Sequence, residues 1–286
     1  MTAGPLAAAL AGLAPADLVE LTERAALLTR VDRKYVLPLA DARLLLADLA
    51  ATGAARVLEI DGARLFRYAS VYFDTPDLTS YHLAAHRRPV RWKVRTRTYL
   101  DAGQCWLEVK TRDRRGRTVK HRHGYDPADG AALTGEGAGF VDAVLGGLGV
   151  PQPPTAALVP TLVTRYGRST LLLPDDDSRV TVDTGLVCAG GDGGRGDGPV
   201  LHLPDGVVVE TKTLGRPSAA DRLLWALGHR PVAVSKFATG LAALHPELPA
   251  TRWRPVLRRH FAVPPPGTPS PSCTTPRTTD PTWSTS

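Results

Sequence analysis

The stretch that decides the fold is residues 89–123, with the sequence PVRWKVRTRTYLDAGQCWLEVKTRDRRGRTVKHRH. In its first part a basic residue stands at every second position, at Arg91, Lys93, Arg95 and Arg97. Side chains two residues apart on a β-strand point to the same face, so these four cations share one face of a predicted strand. The residues between them are apolar or threonine, and they share the other face.

Two further strands, predicted to pair antiparallel, continue this alternation and present Glu108, Lys110, Arg112, Lys120 and Arg122 on the charged face. Like charges that face each other across strands are destabilising, so such a sheet needs water or a polyanion to neutralise them. One strand of this kind would fit an ordinary sheet with a wetted face. Three in succession favour a ligand-binding surface, on which Glu108 could hold a metal ion or simply balance charge.

The composition of the whole chain points to an anionic partner. The 286 residues carry a formal net charge of +7, which suits nucleic acid, phosphate compounds or an anionic membrane surface. The 3 cysteines lack metal-ligand spacing, so the sequence predicts neither a disulfide framework nor a zinc site and favours a cytoplasmic location. No apolar run is long enough to span a membrane, and the apolar N-terminus lacks the basic residues of a secretory signal.

Changes in composition predict the domain boundaries. Residues 1–15 are rich in alanine and are predicted to form a flexible N-terminus. Residues 16–248 contain the alternating strands and form one predicted domain. Residues 249–286 are rich in Pro, Ser and Thr, a composition that cannot bury a core, and they are predicted to be a disordered tail.

The same alternation recurs later in the chain. Arg179, Thr181 and Asp183 share one face of a predicted strand, and Glu210 and Lys212 share a face of another. An antiparallel β-barrel of about eight strands would enclose such faces, with helices packed outside. Charges inside a barrel are costly unless water or a counter-charge is present. The sequence therefore predicts an α+β fold whose basic interior holds a phosphate chain and a metal ion.

A series of short motifs spans residues 30–237. In order, they are Arg30-x-Asp32-x-Lys34-Tyr35, Tyr72-Phe73-Asp74-Thr75, Lys93-x-Arg95-x-Arg97-x-Tyr99, Leu107-Glu108-Val109-Lys110, Val119-Lys120, Thr164-Arg165-Tyr166, Arg179-Val180-Thr181-Val182-Asp183, Val209-Glu210-Thr211-Lys212 and Ser235-Lys236-Phe237. In number and order they resemble the VTC domain, the polyphosphate polymerase domain of the triphosphate tunnel (CYTH-like) superfamily.

This resemblance implies a tunnel that binds triphosphate end on, and it implies roles for individual residues. The residues implied to hold phosphates are Lys34, Arg95, Arg97, Lys110, Lys120, Arg165, Arg179, Lys212 and Lys236. The implied catalytic group is Lys34, Arg95, Arg97, Lys212 and Glu210. Glu210 is the implied ligand of Mn²⁺ or Mg²⁺, and Glu108 is a second candidate metal ligand.

The function implied by the resemblance is metal-dependent transfer of the terminal phosphoryl group of ATP to a polyphosphate chain. One alternative is a tunnel triphosphatase, which the wider superfamily associates with an acidic residue at the position of Arg30; here only Asp32 remains. Another is a non-catalytic binder of polyphosphate or nucleic acid. The charged faces interleave few aromatics on which bases could stack, so no specific nucleic-acid partner is predicted. The oligomeric state is left open.

Several residues near the motifs are predicted to have other positions. Tyr72 and Phe73 are expected in the core. His121 and His123 alternate with the cations of their strand and are expected outside the tunnel. Arg87, which precedes the first charged strand, is expected to be solvated.

Overall fold

The computed structural model describes residues 6–25, 31–148, 157–191, 198–203 and 205–261. The strands are β1 (Ala14–Ala16), β2 (Val31–Pro38), β3 (Arg56–Leu58), β4 (Phe66–Asp74), β5 (Arg91–Tyr99), β6 (Gln104–Arg112), β7 (Thr118–Tyr125), β8 (Val159–Leu173), β9 (Ser178–Gly190), β10 (Val200–Leu203) and β11 (Gly206–Thr213). The α-helices are α1 (Ala7–Ala11), α2 (Leu18–Ala25), α3 (Leu39–Ala51), α4 (Thr79–Ala85), α5 (Gly135–Gly146), α6 (Ala219–Ala226), α7 (Lys236–Leu244) and α8 (Arg254–His260).

One large sheet organises the molecule, with the strand order β2-β11-β9-β8-β4-β5-β6-β7 and antiparallel pairing throughout that path. The predicted α+β class is confirmed. The predicted closed barrel is not, because no ladder joins β2 to β7 within the described ranges. Both edge strands carry charged side chains, and charged edges disfavour further strand pairing.

The open sheet is nevertheless strongly curved. Lys110 on β6 lies close enough to Lys34 on β2 for the two charges to affect each other's ionisation, although five strands separate β6 from β2 in the sheet order. The charged side chains therefore line a concave face, and the apolar residues between them form a convex face.

Helices α1, α3 and α6 cover the convex face of β2, β11, β9 and β8. α3 places Ala42, Leu45, Leu46 and Leu49 on one side, at the spacing expected of an amphipathic helix, and all four are buried. They pack against a set of strand residues that includes Tyr35, Leu37, Val57, Leu171, Val180, Val182, Val207 and Val209. Fully burying side chains of this kind contributes about 1.5–3 kcal/mol each.

Helix α5 covers the convex face of β5 and β6. Val141 and Leu145 of α5 pack against Leu107 and Val109 of β6. Gly137 allows this close approach, because a Cβ at that position would lie 2.9 Å from the Tyr125 ring. Helices thus cover the apolar face in both parts of the sheet, α1, α3 and α6 over one part and α5 over the other.

Helix α7 lies on the opposite side, against the concave face. Phe237 and Leu241 pack with Val36 and Val208, which share their face of the sheet with the charged residues of β2 and β11. A Cβ at Gly240 would lie 3.0 Å from Cys188 Sγ, so the helix is seated closely on the sheet. The prediction that helices pack only outside is therefore wrong for α7. Every residue of Phe237–Leu244 is buried. This is expected because a helix that is apolar on every side is stable only when it is buried on every side.

The ordered structure also extends past the predicted boundaries at residues 16 and 248. Leu6, Leu10 and Leu13 are buried in the core around α3. At the other end, Trp253 and Val256 are buried in the cluster around α7. Residues 1–5 and 262–286 of the predicted flexible segments lie outside the described residues. In the described part of the chain, no helix is both long enough and apolar enough to cross a bilayer.

Candidate functional site

The charged faces of the strands meet in one concavity, which we call the basic groove. Its lining residues are Asp32 and Lys34 of β2, Lys93, Arg95 and Arg97 of β5, Glu108 and Lys110 of β6, Lys120 and Arg122 of β7, Arg168 of β8, Arg179 and Asp183 of β9, Glu210 and Lys212 of β11, and Lys236 of α7. Antiparallel register places these residues in rows across the sheet. For example, Arg95 lies opposite Glu108, and Lys34 lies opposite Glu210.

Glu108 lies at the centre of the β5–β7 part of the groove and is 2% exposed. Its carboxylate is 2.5 Å from Arg95 Nη2 and 3.1 Å from Arg122 Nε, and it also pairs with Lys120. Burial opposes ionisation of Glu108, but Arg95 and the other cations outweigh it and hold its pKa far below the usual range. Four cations surround Glu108, and no second carboxylate of the described residues shares a cation with it, so the geometry favours the charge-balancing role for Glu108.

Arg97 is less fully paired than Arg95. Its Nε lies 3.9 Å from Glu108 and its guanidinium lies over the Tyr68 ring, 5.8 Å from the centroid. Within the described residues this buried Nε has no hydrogen-bond partner. A buried donor left unsatisfied costs about 1–3 kcal/mol, so Arg97 is a donor suited to an added acceptor.

A second ion-pair node surrounds Glu210. Its carboxylate contacts Lys34 Nζ at 2.9 Å and Lys212 Nζ at 3.0 Å. Asp32 lies 3.8 Å from the same Lys212 ammonium. Burial would raise the pKa of Glu210, but Lys34 and Lys212 hold it well below its ordinary value. Glu210 is therefore a permanent anion among cations, as its predicted role requires.

A third node centres on Asp183, which sequence reasoning did not assign to the site. Arg168 donates two hydrogen bonds to its carboxylate, at 2.6 and 2.8 Å, and Lys236 at the start of α7 also pairs with it. Asp183 is 1% exposed; burial would raise its pKa, but Arg168 and Lys236 lower it to about 2. This node ties α7 to the sheet.

Arg168 occupies the place that the resemblance assigned to Arg165. Arg165 is exposed, and it lies beside Ala69 and Val187 in the ladder rather than beside the groove residues. Tyr166 and Arg168 point the other way, and their side chains contact each other in the groove, with the guanidinium 5.3 Å from the ring centroid. The structure does not bring Arg165 to the groove.

Lys93 and Lys110 differ from the other groove cations, since neither has a carboxylate partner within 4 Å in the described part of the chain. They lie opposite each other, and Lys110 also lies opposite Lys120. Lys93 Nζ lies 3.4 Å from Ser235 Oγ and near the Tyr72 ring. Burial, followed by repulsion from Arg95 and Lys110, holds the pKa of Lys93 well below its ordinary value. An anion here would relieve this repulsion.

The structure brings most of the predicted site residues together. The predicted phosphate-holding residues that line the groove are Lys34, Arg95, Arg97, Lys110, Lys120, Arg179, Lys212 and Lys236. The expected positions of Tyr72, which is buried, and of His123, which packs on Phe140 of α5, agree with the structure. Tyr72 also contacts the groove, because Arg95 donates to its hydroxyl at 3.2 Å. The roles of these residues stay predictions.

The groove offers few ligands to a metal ion. The described residues contain no group of three or more His, Cys, Asp or Glu side chains that could hold one. Glu210 and Asp32 are two carboxylates that lie near the same ammonium group, that of Lys212. Mg²⁺ is often bound by one or two carboxylates while substrate phosphates complete its coordination. The donor set therefore fits a metal ion that is shared with bound phosphates, not a metal cage made by protein alone.

Comparison with known proteins adds a family match. The model of the VTC domain family matches residues 29–138 and 153–245, which include every strand of the groove. Among curated proteins, no relative matches the chain.

Solved structures of similar fold include a candidate adenylyl cyclase from Hippeastrum that is described as having a dominant triphosphatase activity. It is 18% identical, with 74% of this chain and 95% of that chain covered at a TM-score of 0.46. A candidate adenylate cyclase from Bacillus halodurans is 11% identical, with 72% and 94% covered at a TM-score of 0.46. Another from Vibrio parahaemolyticus is 14% identical, with 70% and 87% covered at a TM-score of 0.38. At these TM-scores, none of the three assigns an activity to this chain.

Proposed function

The chain belongs to the VTC domain family, and from this membership we propose that it is a metal-dependent polyphosphate polymerase. In the proposed reaction the terminal phosphoryl group of ATP, or of another triphosphate, passes to the end of a polyphosphate chain. The bond from the terminal phosphorus to its bridging oxygen breaks, a new phosphoanhydride bond forms, and the nucleoside diphosphate leaves. The acceptor oxygen belongs to the chain itself, so the protein need not supply a nucleophile.

The observation that carries this proposal is the uneven charge of the groove. Its basic side chains outnumber its carboxylates. Lys93 and Lys110 face each other, and neither has a carboxylate within 4 Å in the described part of the chain. Phosphoryl transfer depends on positioning and on neutralising charge rather than on covalent help from protein groups. A linear phosphate anion supplies the negative charge that these cations lack.

The groove residues would divide the work by their chemistry. Arg95 and Arg97 present planar guanidinium groups that can each bind two phosphate oxygens, whereas lysine provides a compact point charge. The free Nε of Arg97 is directed at no protein acceptor in the described residues, and a phosphate oxygen would satisfy it. A bound phosphate would offset the burial and the cationic neighbours that lower the pKa of Lys93, and would therefore stabilise its charged form.

A divalent metal ion, Mn²⁺ or Mg²⁺, would be held by Glu210 with Asp32 nearby, and when bound it would neutralise charge on the phosphate oxygens. The residues of the chain prepare that position. Lys34 and Lys212 keep Glu210 ionised, and their ammonium groups lie 2.9 and 3.0 Å from its carboxylate. These lysines are also placed to hold the phosphates that would share the metal.

One experiment tests the proposal directly. Purified protein is incubated with ATP and Mn²⁺, and the products are resolved on a gel and by free-phosphate assay. We expect a ladder of polyphosphate from the wild type and from Arg165→Ala, because Arg165 lies outside the groove. Arg97→Ala should make little product. No phosphoryl transfer under any metal condition would leave a non-catalytic polyphosphate binder.

Hydrolysis is the second candidate reaction. Lys110 and Lys120 of the groove are exposed, so water reaches the positions where the phosphates would lie. A triphosphatase would pass the phosphoryl group to that water. In the same assay it would release free phosphate without any polymer.

A further inference from the structure

The charged face of β5 and β6 continues past the basic groove to the ends of both strands. Arg91 lies opposite Arg112, on the same face as Lys93 and Lys110. Both arginines are half-buried, and in the described residues neither has a carboxylate within 4 Å. Like charges directly opposite on neighbouring strands are destabilising, and more so where burial reduces contact with water.

Two more arginines reach this position from outside the sheet. Arg87 follows α4, and Arg252 lies in the turn before α8; both are exposed. Burial, then the charges of Arg112 and Arg252, lowers the pKa of Arg91. Arg252 is affected in the same way by Arg87 and Arg112.

Contacts of α4 bring these segments together: Tyr81 donates to Pro249 O at 3.1 Å and its ring packs on Trp253, and Ser80 donates to Trp92 O at 2.6 Å. The end of α4, the turn before α8 and the start of β5 therefore lie side by side. We call Arg87, Arg91, Arg112 and Arg252 the arginine cluster.

The arginine cluster has the chemistry of a phosphate-binding site. A guanidinium group binds phosphate through two parallel hydrogen bonds and remains charged at every physiological pH. In the described residues no ion pair to a carboxylate is made by any of the four. The folded chain thus holds four converging cations whose repulsion an external polyanion would relieve.

The distance from the cluster to Arg97, at the far end of the groove residues of β5, indicates the kind of anion. Arg91 and Arg97 are six residues apart on one extended strand, which corresponds to about 20 Å. That span exceeds the length of three linked phosphates. A triphosphate held at Arg95 and Arg97 would not reach Arg91, whereas a longer chain following the row of cations would.

We propose that the arginine cluster is an outer binding site for inorganic polyphosphate, which holds the part of the chain that extends beyond the basic groove. This inference rests on the proposed function for the identity of the anion. The row of lysines and arginines on β5 and β6 joins the two sites on one face of the sheet. A long chain therefore contacts both sites, and a triphosphate contacts only the groove.

Equilibrium binding of tripolyphosphate and of polyphosphate several tens of phosphates long tests this proposal. The test variant is the double substitution Arg87→Ala/Arg252→Ala, because both side chains are exposed and lie outside the sheet. The control is Arg165→Ala/Arg230→Ala, which removes two exposed arginines elsewhere. We expect the test variant to bind the long chain about tenfold or more weakly, and tripolyphosphate within about twofold of wild type. The slope of log K against log salt for the long chain should decrease by about 1 to 2.

Three outcomes would overturn the outer site. Long-chain affinity could remain unchanged in the test variant, both ligands could lose affinity equally, or the control could lose as much as the test variant. Tight cluster-dependent binding of a single-stranded oligonucleotide of equal charge, without preference for polyphosphate, would assign the cluster to nucleic acid instead. Failure of the proposed polymerase shows itself separately, as an absence of polymer despite cluster-dependent binding of the long chain.

Discussion

The two halves of the basic groove are neutralised to very different degrees. In the half formed by β2, β8, β9 and β11, Asp183 pairs with Arg168 and Lys236, and Glu210 pairs with two lysines. In the half formed by β5, β6 and β7, Glu108 is the sole carboxylate on the groove face of the described strands, and it serves four cations. Beyond Glu108 on this face, Lys93 and Lys110 have no carboxylate within 4 Å in the described residues.

This difference separates two tasks that the sequence alternation alone cannot separate. Carboxylates in the first half hold their cations in place without a ligand, so that half is complete as folded. The second half carries a positive excess that only water or a bound anion can offset. Removing a charge should therefore have opposite consequences for folding in the two halves.

The largest effect is expected from Asp183→Asn. Removing one partner of a buried ion pair leaves uncompensated charge, here on Arg168 and Lys236, and typically costs 3–5 kcal/mol. The free energy of unfolding, measured in urea at pH 7, should fall by about that amount. Asp101→Asn is the control, because Asp101 pairs with a largely exposed arginine and should cost about 1 kcal/mol or less. A comparable loss of unfolding free energy in both variants would contradict the proposed role of the Asp183 ion pairs.

The same residue gives a pH dependence with a definite sign. The folded-state pKa of Asp183 is lowered from 3.8 to about 2, so its contribution to stability is complete above pH 4 and is lost as the pH falls towards 2. A shift of this size corresponds to about 2 kcal/mol. Wild type should therefore lose more stability than Asp183→Asn between pH 5 and pH 2.5. Parallel stability curves for the two proteins over this interval would show that the pKa is not lowered.

Glu210→Gln should reduce turnover far more than it reduces phosphate binding. The amide keeps the shape of the side chain but cannot supply an anionic metal ligand, and loss of one such electrostatic element costs about 10²–10³ in rate. Tripolyphosphate binding should persist, because Lys34 and Lys212 remain. Turnover is measured over a range of Mn²⁺ concentrations, with Glu136→Gln on the convex side as control. Near-normal turnover would move the metal assignment to Asp32.

The positions of these groups were predictable from the sequence only in part. The alternation in residues 91–97 correctly predicted which side chains share a face, because β5 has one polar and one apolar face. β8 carries no run of alternating charges, so its sequence does not indicate which side faces the groove. The motif Thr164-Arg165-Tyr166 assigned Arg165 to the site, but Thr164 and Tyr166 are the buried residues of that motif and Arg165 is exposed on the other face. Arg168, which shares a face with Tyr166, lies outside the motif.

Long-range features were the hardest to predict. Strand alternation indicates which residues face inward but does not show whether β2 and β7 pair, and they do not within the described residues. Two local signals in the sequence do indicate the additional buried segments. Leu6, Leu10 and Leu13 have helical spacing, and residues 237–244 lack a polar side, which is typical of a helix buried all round.

Lys110→Met and Lys236→Met compare one lysine from each half. Lys110 has no carboxylate partner in the described part of the chain and lies opposite two lysines, so its loss should weaken tripolyphosphate binding about tenfold without lowering stability. Lys236 is committed to Asp183, so its loss should lower stability first. Calorimetric binding and urea unfolding of both variants provide the measurements. If Lys110→Met is the less stable variant, the two halves do not differ as described.

The smallest effect concerns the protons bound by Lys120. Although Lys120 is exposed as a whole residue, its ammonium group lies in the groove against Glu108, where desolvation, only partly offset by Glu108, lowers its pKa to about 7. A bound polyanion favours the charged ammonium and raises that pKa, so binding above pH 7 must be accompanied by proton uptake. Affinity for tripolyphosphate should therefore fall as the pH rises from 7 to 9, by a few-fold beyond any change due to the ligand itself. Below pH 7 Lys120 is already charged, and this contribution disappears.

Lys120→Arg isolates this contribution, because arginine stays charged throughout the range. Calorimetry at pH 8 in two buffers with different ionisation enthalpies gives the number of protons taken up by each protein. We expect a fractional uptake in wild type that is smaller in Lys120→Arg, and a flatter pH profile of affinity in the variant. Titration of the ligand's terminal phosphates is common to both proteins and cancels in the difference. Equal proton uptake in wild type and Lys120→Arg would mean that the ion pair with Glu108 keeps Lys120 fully protonated before any anion binds. This half of the groove would then be better neutralised than its ratio of charges indicates.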